Sequence, residues 1–204
     1  MKTNVLMWDV DTQVDFMSPE GKLYIPGAED IVDNLRIITR TAIAKNYMLS
    51  GSVDAHAPDD PEFMVYPEHC VYGTPGQLKI PETTTGVQLF IPSARLKAGQ
   101  LQFSKFRGQV MFEKQNPSCK TNQNLDNYLS CLEPEAVFIY GVASDICVAE
   151  AVGYIAGERC LNTYVITDAI KGLDADKERE LMEDWKTWGN VNFIKTYDFH
   201  TKFR

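Results

Sequence analysis

The fold is decided by residues 136–155, which read AVFIYGVASDICVAEAVGYI. The first seven are apolar almost throughout, which is typical of a strand buried on both faces of a sheet. Further on, Val148, Val152 and Ile155 recur at the spacing of one helix face. Since a buried strand that leads directly into an amphipathic helix is half of a β/α/β unit, this stretch predicts a parallel sheet covered by helices.

The same alternation of strand and helix extends towards both ends of the chain. Apolar segments predict strands at residues 4–11, 47–53, 109–113, 136–142, 162–167 and 191–195. The first predicted helix has the apolar stripe Ile31, Leu35, Ile38 and Ala42 and begins at Asp30 as its N-cap. Three more helices are predicted: around 122–132, from about Asp145, and from Asp174 to a stop at Gly189. About six such units predict an α/β fold: a doubly wound, mostly parallel six-stranded sheet with helices on both faces.

One segment breaks this alternation. Residues 54–108 are rich in Pro, Gly and Thr and show only weak periodicity, apart from a possible short strand at 87–91. Long connections of this kind in compact proteins often carry function, so we expect a loop-rich functional insertion here. No repeat, linker or low-complexity stretch divides the chain, which predicts one domain over residues 1–204.

Composition limits the class of protein. Of the 204 residues 44 % are apolar, enough for a core without disulfides, and the five cysteines include no CxxC pair. The net charge of −8 disfavours nucleic acid and anionic lipid as partners. Neither a signal peptide nor an 18-residue apolar run is evident, so we expect a cytoplasmic protein with no membrane association.

Chemically useful residues follow the predicted strands, at the edge of the sheet where α/β proteins bind ligands. Asp11 follows the first strand, Lys114 follows residues 109–113, and Cys147 opens the helix after residues 136–142. Unpaired N–H groups in the first turn of a helix favour a thiolate, so Cys147 is a candidate nucleophile. Each residue alone also has a plainer interpretation: a buried apolar cysteine, a solvated lysine and a turn-forming acid.

A second group has the residue types of a metal site. Asp54 and His56 follow the second predicted strand, and His69 lies in the loop beyond them. Histidine and carboxylate ligands suit zinc, iron or manganese. Because Asp-x-His is a common tripeptide, two ordinary loop histidines remain the alternative interpretation.

Several motifs together resemble one known family. They are WDVDTQVDF at 8–16, LYIPGAEDIVDNL at 23–35, VDAH at 53–56, YPEHCVYGTPG at 66–76, FEK at 112–114 and GVASDICV at 141–148. Over most of its length the chain resembles the isochorismatase-like cysteine hydrolases, and within them the nicotinamidases. The resemblance implies that Asp11, Lys114 and Cys147 are catalytic. It also implies a cis peptide bond between Val142 and Ala143, with the N–H groups of Ala143 and Cys147 as an oxyanion hole.

The resemblance further implies ligands and an assembly. Asp54, His56 and His69 would hold a divalent metal, zinc first and iron or manganese as alternatives, and Phe16 and Tyr66 would flank the ring of a small-molecule amide in a homo-oligomer. The chain departs from the nicotinamidase pattern in three places. Asp60 and Glu62 stand where the family loop continues to another His and then a Ser-Phe pair, and Tyr66 replaces the usual Trp.

We therefore expect an amidase that forms a cysteine thioester and cleaves a small amide, nicotinamide first, into the carboxylate and ammonia. Three alternatives stay open. A related amidase would act on a carbamoyl, ureido or maleamate-type substrate. A metal-water hydrolase would not need Cys147, and a non-catalytic binding protein on the same fold would have no thiol reactivity.

Overall fold

The computed structural model describes residues 5–97, 106 and 108–202. In this part of the chain seven strands form one sheet, and every neighbouring pair is parallel. The strands are β1 (Val5–Val10), β2 (Met48–Asp54), β3 (Gln88–Ile91), β4 (Gln109–Lys114), β5 (Ala136–Val142), β6 (Thr163–Lys171) and β7 (Val191–Ile194). Their order across the sheet is β3-β4-β2-β1-β5-β6-β7.

Helices cover both faces of this sheet. They are α1 (Val14–Met17), α2 (Val32–Ala44), α3 (Leu125–Leu132), α4 (Cys147–Val152), α5 (Ala175–Trp185) and α6 (Thr196–Lys202), and α4 continues into a π-helical segment at Gly153–Glu158. No helix in the described ranges is both long and apolar enough to cross a membrane.

Alternation along β1 divides the core into two layers. Leu6, Trp8 and Val10 belong to the cluster that includes α3, α4 and Trp185 of α5. Met7 faces the other cluster, which includes the buried faces of α2 and α6. Because successive side chains of a strand point to opposite faces, β1 is buried on both, as its apolar sequence requires. The doubly wound α/β fold predicted from the sequence is thereby confirmed.

Three details of the predicted fold are wrong. The sheet has seven strands rather than six, because the weakly patterned segment around 87–91 does form an edge strand on β4. Asp30 does not cap α2: it lies inside a 3₁₀ turn, Ala28–Ile31, that precedes the helix. Gly189 does not end α5, because the helix stops at Trp185. The residues after it form i→i+3 hydrogen bonds of the 3₁₀ type, such as that from Trp188 N–H to Trp185 O.

The strand β6 is also longer than its apolar pattern suggested. It runs to Lys171, and Lys171 pairs with Val142 at the end of β5 after a register irregularity. Polar residues near Asp168 conceal this extension in the sequence. As a result, the turn after β6 lies beside the turn that leads into Cys147.

The long connection between β2 and β4 is tied to the end of β1. Its described part holds three short 3₁₀ turns, at Pro61–Met64, Pro75–Gln77 and Pro81–Thr83, followed by β3. Lys79 anchors it through a buried ion pair of 2.8 Å with Asp9. The connection therefore returns to the carboxyl ends of the strands, where the sequence places the candidate site.

Candidate active site

Asp11, Lys114 and Cys147 meet at the carboxyl edge of the sheet, each at or just beyond the end of a different strand. Lys114 Nζ lies 2.9 Å from Asp11 Oδ2 and 3.6 Å from Cys147 Sγ. The Asp11 carboxylate lies close enough to the Cys147 thiol to raise the pKa of that thiol. Since Cys147 is the first residue of α4 and Lys114 is the last of β4, the β/α topology itself brings the three together.

Asp11 is held in a fixed orientation. Its backbone has a left-handed φ of 48° directly after β1, and its N–H donates to Ser52 O at 3.1 Å. The Ser52 hydroxyl donates to Asp11 Oδ1 at 2.8 Å, which leaves Oδ2 for Lys114. Ser52 was not singled out in the sequence, and only its place beside the end of β1 in the parallel register could have indicated it.

Burial and charge set the protonation states of this group. Burial raises the pKa of Asp11, and the charge of Lys114 offsets that shift only in part. Burial lowers the pKa of Lys114, but the carboxylates of Asp11 and Asp54 outweigh it and hold the pKa well above its ordinary value. Burial also raises the pKa of the Cys147 thiol, with Lys114 opposing the shift. The resting cysteine is therefore a thiol in contact with a carboxyl that can accept its proton.

Asp54, His56 and His69 form a second cluster in contact with the first. Both His56 Nε2 and His69 Nε2 face Asp54 Oδ2, at 3.6 Å and 3.5 Å. His69 Nδ1 contacts Pro67 O at 2.7 Å, and His56 Nδ1 lies 3.1 Å from Asp60 Oδ2. With its Nδ1 proton on Pro67 O, His69 presents an Nε2 lone pair on the side of Asp54, and His56 Nε2 faces the same carboxylate, an arrangement that suits histidine ligands of a metal.

The residues fit a divalent metal on their own chemistry. One atom from each of the three lies within 4.8 Å of the others, and His56 Nε2 is a buried polar atom with no hydrogen-bond partner in the described residues. Burial raises the pKa of Asp54, but the charge of Lys114 opposes that shift, and the pKa of the carboxyl stays below its ordinary value, so the group is ionised. Two neutral imidazoles and a carboxylate are a donor set that zinc, iron and manganese accept.

The two acidic residues that depart from the family pattern both border this cluster. Asp60 contacts His56 Nδ1, as described above. Glu62 Oε2 lies 3.8 Å from His56 Nε2, and burial raises the pKa of Glu62. Glu62 is thus a candidate fourth ligand, and Asp60 and Glu62 form a second group of three with His56 whose ligand atoms lie within 4.8 Å of one another.

Gln13 is a further positioning residue that the sequence analysis did not select. Its amide nitrogen donates to Asp54 O at 2.8 Å, and its amide oxygen accepts from Asp54 N–H at 2.7 Å. The same nitrogen donates to Gln77 O at 2.7 Å. A buried amide two residues after Asp11 was the available signal, because such a group needs partners on a neighbouring strand.

A cavity opens over both clusters. Its lining consists of Phe16, Leu23, Ile25, Asp54, Glu62, Tyr66, His69, Pro117, Val142, Ala143, Ile146, Cys147 and Leu173. All the site residues expected from the sequence, except Asp11, Lys114 and His56, line it directly. Those three lie buried beneath, in contact with the lining residues Cys147, Asp54 and His69. The Val142–Ala143 peptide bond at its wall is cis, as the resemblance implied.

Comparison with known proteins identifies the family. A family model described as "Isochorismatase domain" matches residues 6–192. The chain belongs to the isochorismatase family. The resemblance inferred from the sequence motifs is therefore confirmed.

Individual relatives differ in the substrates that their names indicate. A nicotinamidase of Acinetobacter baylyi is 28 % identical over 185 residues, which cover 81 % of this chain and 80 % of that protein. The solved structure of a pyrazinamidase of Pyrococcus horikoshii in complex with zinc matches with a TM-score of 0.75 at 23 % identity, covering 94 % of this chain and 99 % of that one. An N-carbamoylsarcosine amidase from Thermoplasma acidophilum matches with a TM-score of 0.71 at 23 % identity, covering 94 % and 96 %. The isochorismatase fold therefore does not by itself select the substrate.

Proposed function

We propose that this protein hydrolyses nicotinamide, or a closely similar neutral ring amide, to the carboxylate and ammonia through a thioester on Cys147. That the chain is a hydrolase of amides follows from its family and its similarity to nicotinamidases. The observation that carries the mechanism is the buried contact of Lys114 with both Asp11 and Cys147 beneath the cavity.

The first half of the reaction forms the thioester. Asp11 takes the proton of the Cys147 thiol, and the sulfur attacks the amide carbonyl carbon. The carbonyl oxygen becomes an oxyanion, which the N–H groups of Ala143 and Cys147 stabilise. Lys114 stays protonated throughout, because two carboxylates surround it, and its charge stabilises both the thiolate and the ionised Asp11.

The second half releases the acid. As the tetrahedral intermediate collapses, Asp11 returns the proton to the leaving nitrogen, the C–N bond breaks and ammonia departs. Asp11 then removes a proton from a water molecule, whose oxygen attacks the thioester carbonyl. The C–S bond breaks, Cys147 recovers a proton and the carboxylic acid leaves. A raised pKa suits Asp11 to this alternation between base and acid.

Asp54, His56 and His69 are the proposed metal ligands, and the acidic side chains of Asp60 and Glu62 stand beside His56. A bound divalent ion would supply a Lewis acid that orients and polarises a ring substrate. Of the chain's own groups, Phe16 and Tyr66 line the cavity as aromatic neighbours for a ring.

The charge of the cavity favours a neutral amide over the carbamoyl and maleamate types. In the described part of the chain no lysine or arginine lines the cavity, and its charged lining residues, Asp54 and Glu62, are acidic. Lys114 is buried below the lining and already paired with Asp11 and Asp54. Amides that carry a carboxylate would lack a cationic side chain of the protein to bind it.

The experiment measures ammonia release by the purified, metal-loaded enzyme from nicotinamide, maleamate and an N-carbamoyl amino acid. The proposal expects nicotinamide to give the highest kcat/KM and alkylation of Cys147 to abolish turnover. Preference for an acidic amide would overturn the substrate assignment. Full turnover by the alkylated enzyme would instead establish the metal-water alternative.

Three further parts of the proposal come from the sequence: a single domain over residues 1–204 and a cytoplasmic location from its composition and patterning, and a homo-oligomer from the family resemblance. Light scattering of the purified chain tests the assembly. A monomer at assay concentration would contradict it.

A further inference from the structure

Leu173 places a half-exposed apolar side chain at the cavity, in the turn between β6 and α5. It lines the cavity together with Ile146 and Cys147 and retains 51 % of its accessible surface. Covering an exposed leucine with a ligand removes apolar surface from water, which favours binding. Its position makes it a candidate wall of the cavity that the sequence analysis and the family motifs did not select.

A buried carboxylate fastens this turn to the turn that carries the nucleophile. Asp145 is 4 % exposed, and its Oδ1 accepts the N–H of Leu173 at 3.0 Å while Oδ2 accepts the N–H of Asp174 at 3.2 Å. A backbone bond from Ser144 N–H to Lys171 O, 2.9 Å, joins the same two turns. Both oxygens of Asp145 are therefore used to hold Leu173 and its neighbour.

A side chain at Gly172 would crowd the two side chains, Ser144 and Asp145, that stand between the turns. A Cβ on Gly172 would lie 2.3 Å from Ser144 Oγ and 2.6 Å from Asp145 Oδ1, both too short for a carbon contact. Beyond the turn, the Asp174 side chain caps α5 by accepting the N–H groups of Asp176 and Lys177 at 2.9 Å and 3.0 Å. The turn is thus fixed on one side by Asp145 and on the other by the start of a helix.

We propose that Leu173 is a specificity-determining wall residue that limits the width of molecules reaching Cys147, and that Asp145 is the positioning residue that holds this wall in place. This inference shares one assumption with the proposed function, namely that Cys147 is the reacting group. Asp145 acts through the backbone of Leu173 rather than by touching the substrate.

The test compares how fast Cys147 reacts with a narrow and a wide reagent, iodoacetamide and N-phenyliodoacetamide, with mass spectrometry of the Cys147 peptide as the readout. A change in the reactivity of the thiol alters both rates alike, so the ratio of the two rates reports how easily the wide reagent reaches Cys147. Leu173→Ala should raise the relative rate of the wide reagent about tenfold, the usual effect of removing a few carbons from a selective pocket. Asp145→Asn should raise it in the same direction, because an amide nitrogen would face an N–H donor.

A double variant separates positioning from general loosening. If Asp145 acts through Leu173, adding Asp145→Asn to Leu173→Ala should change the ratio no further. Asp168→Asn is the matched control, because Asp168 Oδ1 likewise accepts two bonds, from Thr196 N–H and Oγ1 at 2.8 Å, away from the cavity lining. It should leave the ratio unchanged.

Each outcome is decisive. If Leu173→Ala leaves the ratio of the two rates unchanged, Leu173 does not limit access to Cys147. If Asp145→Asn leaves the ratio unchanged, or raises it further when added to Leu173→Ala, Asp145 does not act by positioning Leu173. If Asp145→Asn does not fold, Gly172→Ala displaces the turn sterically and should raise the ratio in the same way. Ammonia release by the wild-type enzyme from nicotinamide is measured in parallel, so failure of the proposed substrate is seen separately from failure of the wall.

Discussion

Replacing Lys114 with methionine tests the electrostatic core of the site most severely. The variant keeps much of the side-chain volume but removes a cation that is 1 % exposed and contacts Asp11, Asp54 and Cys147. Removing one partner of a buried ion pair costs about 3–5 kcal/mol, because the remaining charge stays buried and unpaired. We expect a loss of that size in the free energy of unfolding at pH 8, together with loss of amide hydrolysis.

The pH dependence of this loss follows from Asp11. In the native protein the charge of Lys114 opposes the rise in the pKa of Asp11 caused by burial, so its removal raises that pKa further. A carboxyl whose pKa is higher in the folded protein than in the unfolded chain destabilises the folded state only at pH values where the carboxyl is ionised. The stability gap between the two proteins should therefore be largest at high pH and shrink as the pH falls through the pKa of Asp11.

Urea unfolding at a series of pH values measures this gap, with Lys79→Met as the matched control. Lys79 is equally buried and pairs with Asp9 at 2.8 Å, but it contacts neither Asp11 nor Cys147 in the described structure. Its replacement should destabilise the fold to a similar extent while the folded enzyme keeps its activity. A Lys114→Met protein that is as stable as the native enzyme at pH 8, or that still hydrolyses amides, would contradict the electrostatic role of Lys114.

Four further predictions concern the site. Cys147→Ala should abolish ammonia release while circular dichroism and the unfolding midpoint stay close to native; measurable turnover would contradict the covalent scheme. In the native enzyme kcat/KM should fall as the pH drops through the raised pKa of Asp11, and Asp11→Asn should remove both the activity and this acid limb. Asp54→Ala should lower the bound metal per chain, measured by elemental analysis after dialysis, and raise KM; an unchanged metal content would count against that ligand set. Asp60→Ala should weaken metal affinity about 10- to 100-fold by releasing the His56 ring, and a metal titration with unaltered affinity would show that the contact has no orienting role.

The sequence predicted the parts of the fold that depend on apolar pattern and the parts of the site that depend on strand ends. Central strands such as β1 and β5 are buried on both faces, so their continuous apolar runs are visible without a structure. The parallel topology then places Asp11, Lys114 and Cys147 at one edge of the sheet. This is why three residues that are individually ambiguous became a coherent group.

The missed features depend on tertiary contacts that leave no periodic signal. The edge strand β3 was expected as a short strand but not counted in the sheet, because it is short and half-exposed, and β6 continues through polar residues because it pairs with the end of β5. Gln13 lies within the motif at 8–16, but its role depends on its bonds to Asp54 on a neighbouring strand, and Leu173 is held by Asp145 of a distant turn. Asp30 has the residue type of an N-cap, but it lies inside the 3₁₀ turn Ala28–Ile31 that precedes α2 and does not cap the helix.

The most direct test of the central claim is the mass of the peptide that contains Cys147, taken from enzyme quenched with acid during the first turnovers of nicotinamide. Covalent catalysis by Cys147 predicts an added acyl group of the substrate on this residue, absent from the Cys147→Ala protein. Sustained ammonia release with Cys147 unmodified throughout, at a rate unaffected by its replacement, would contradict it.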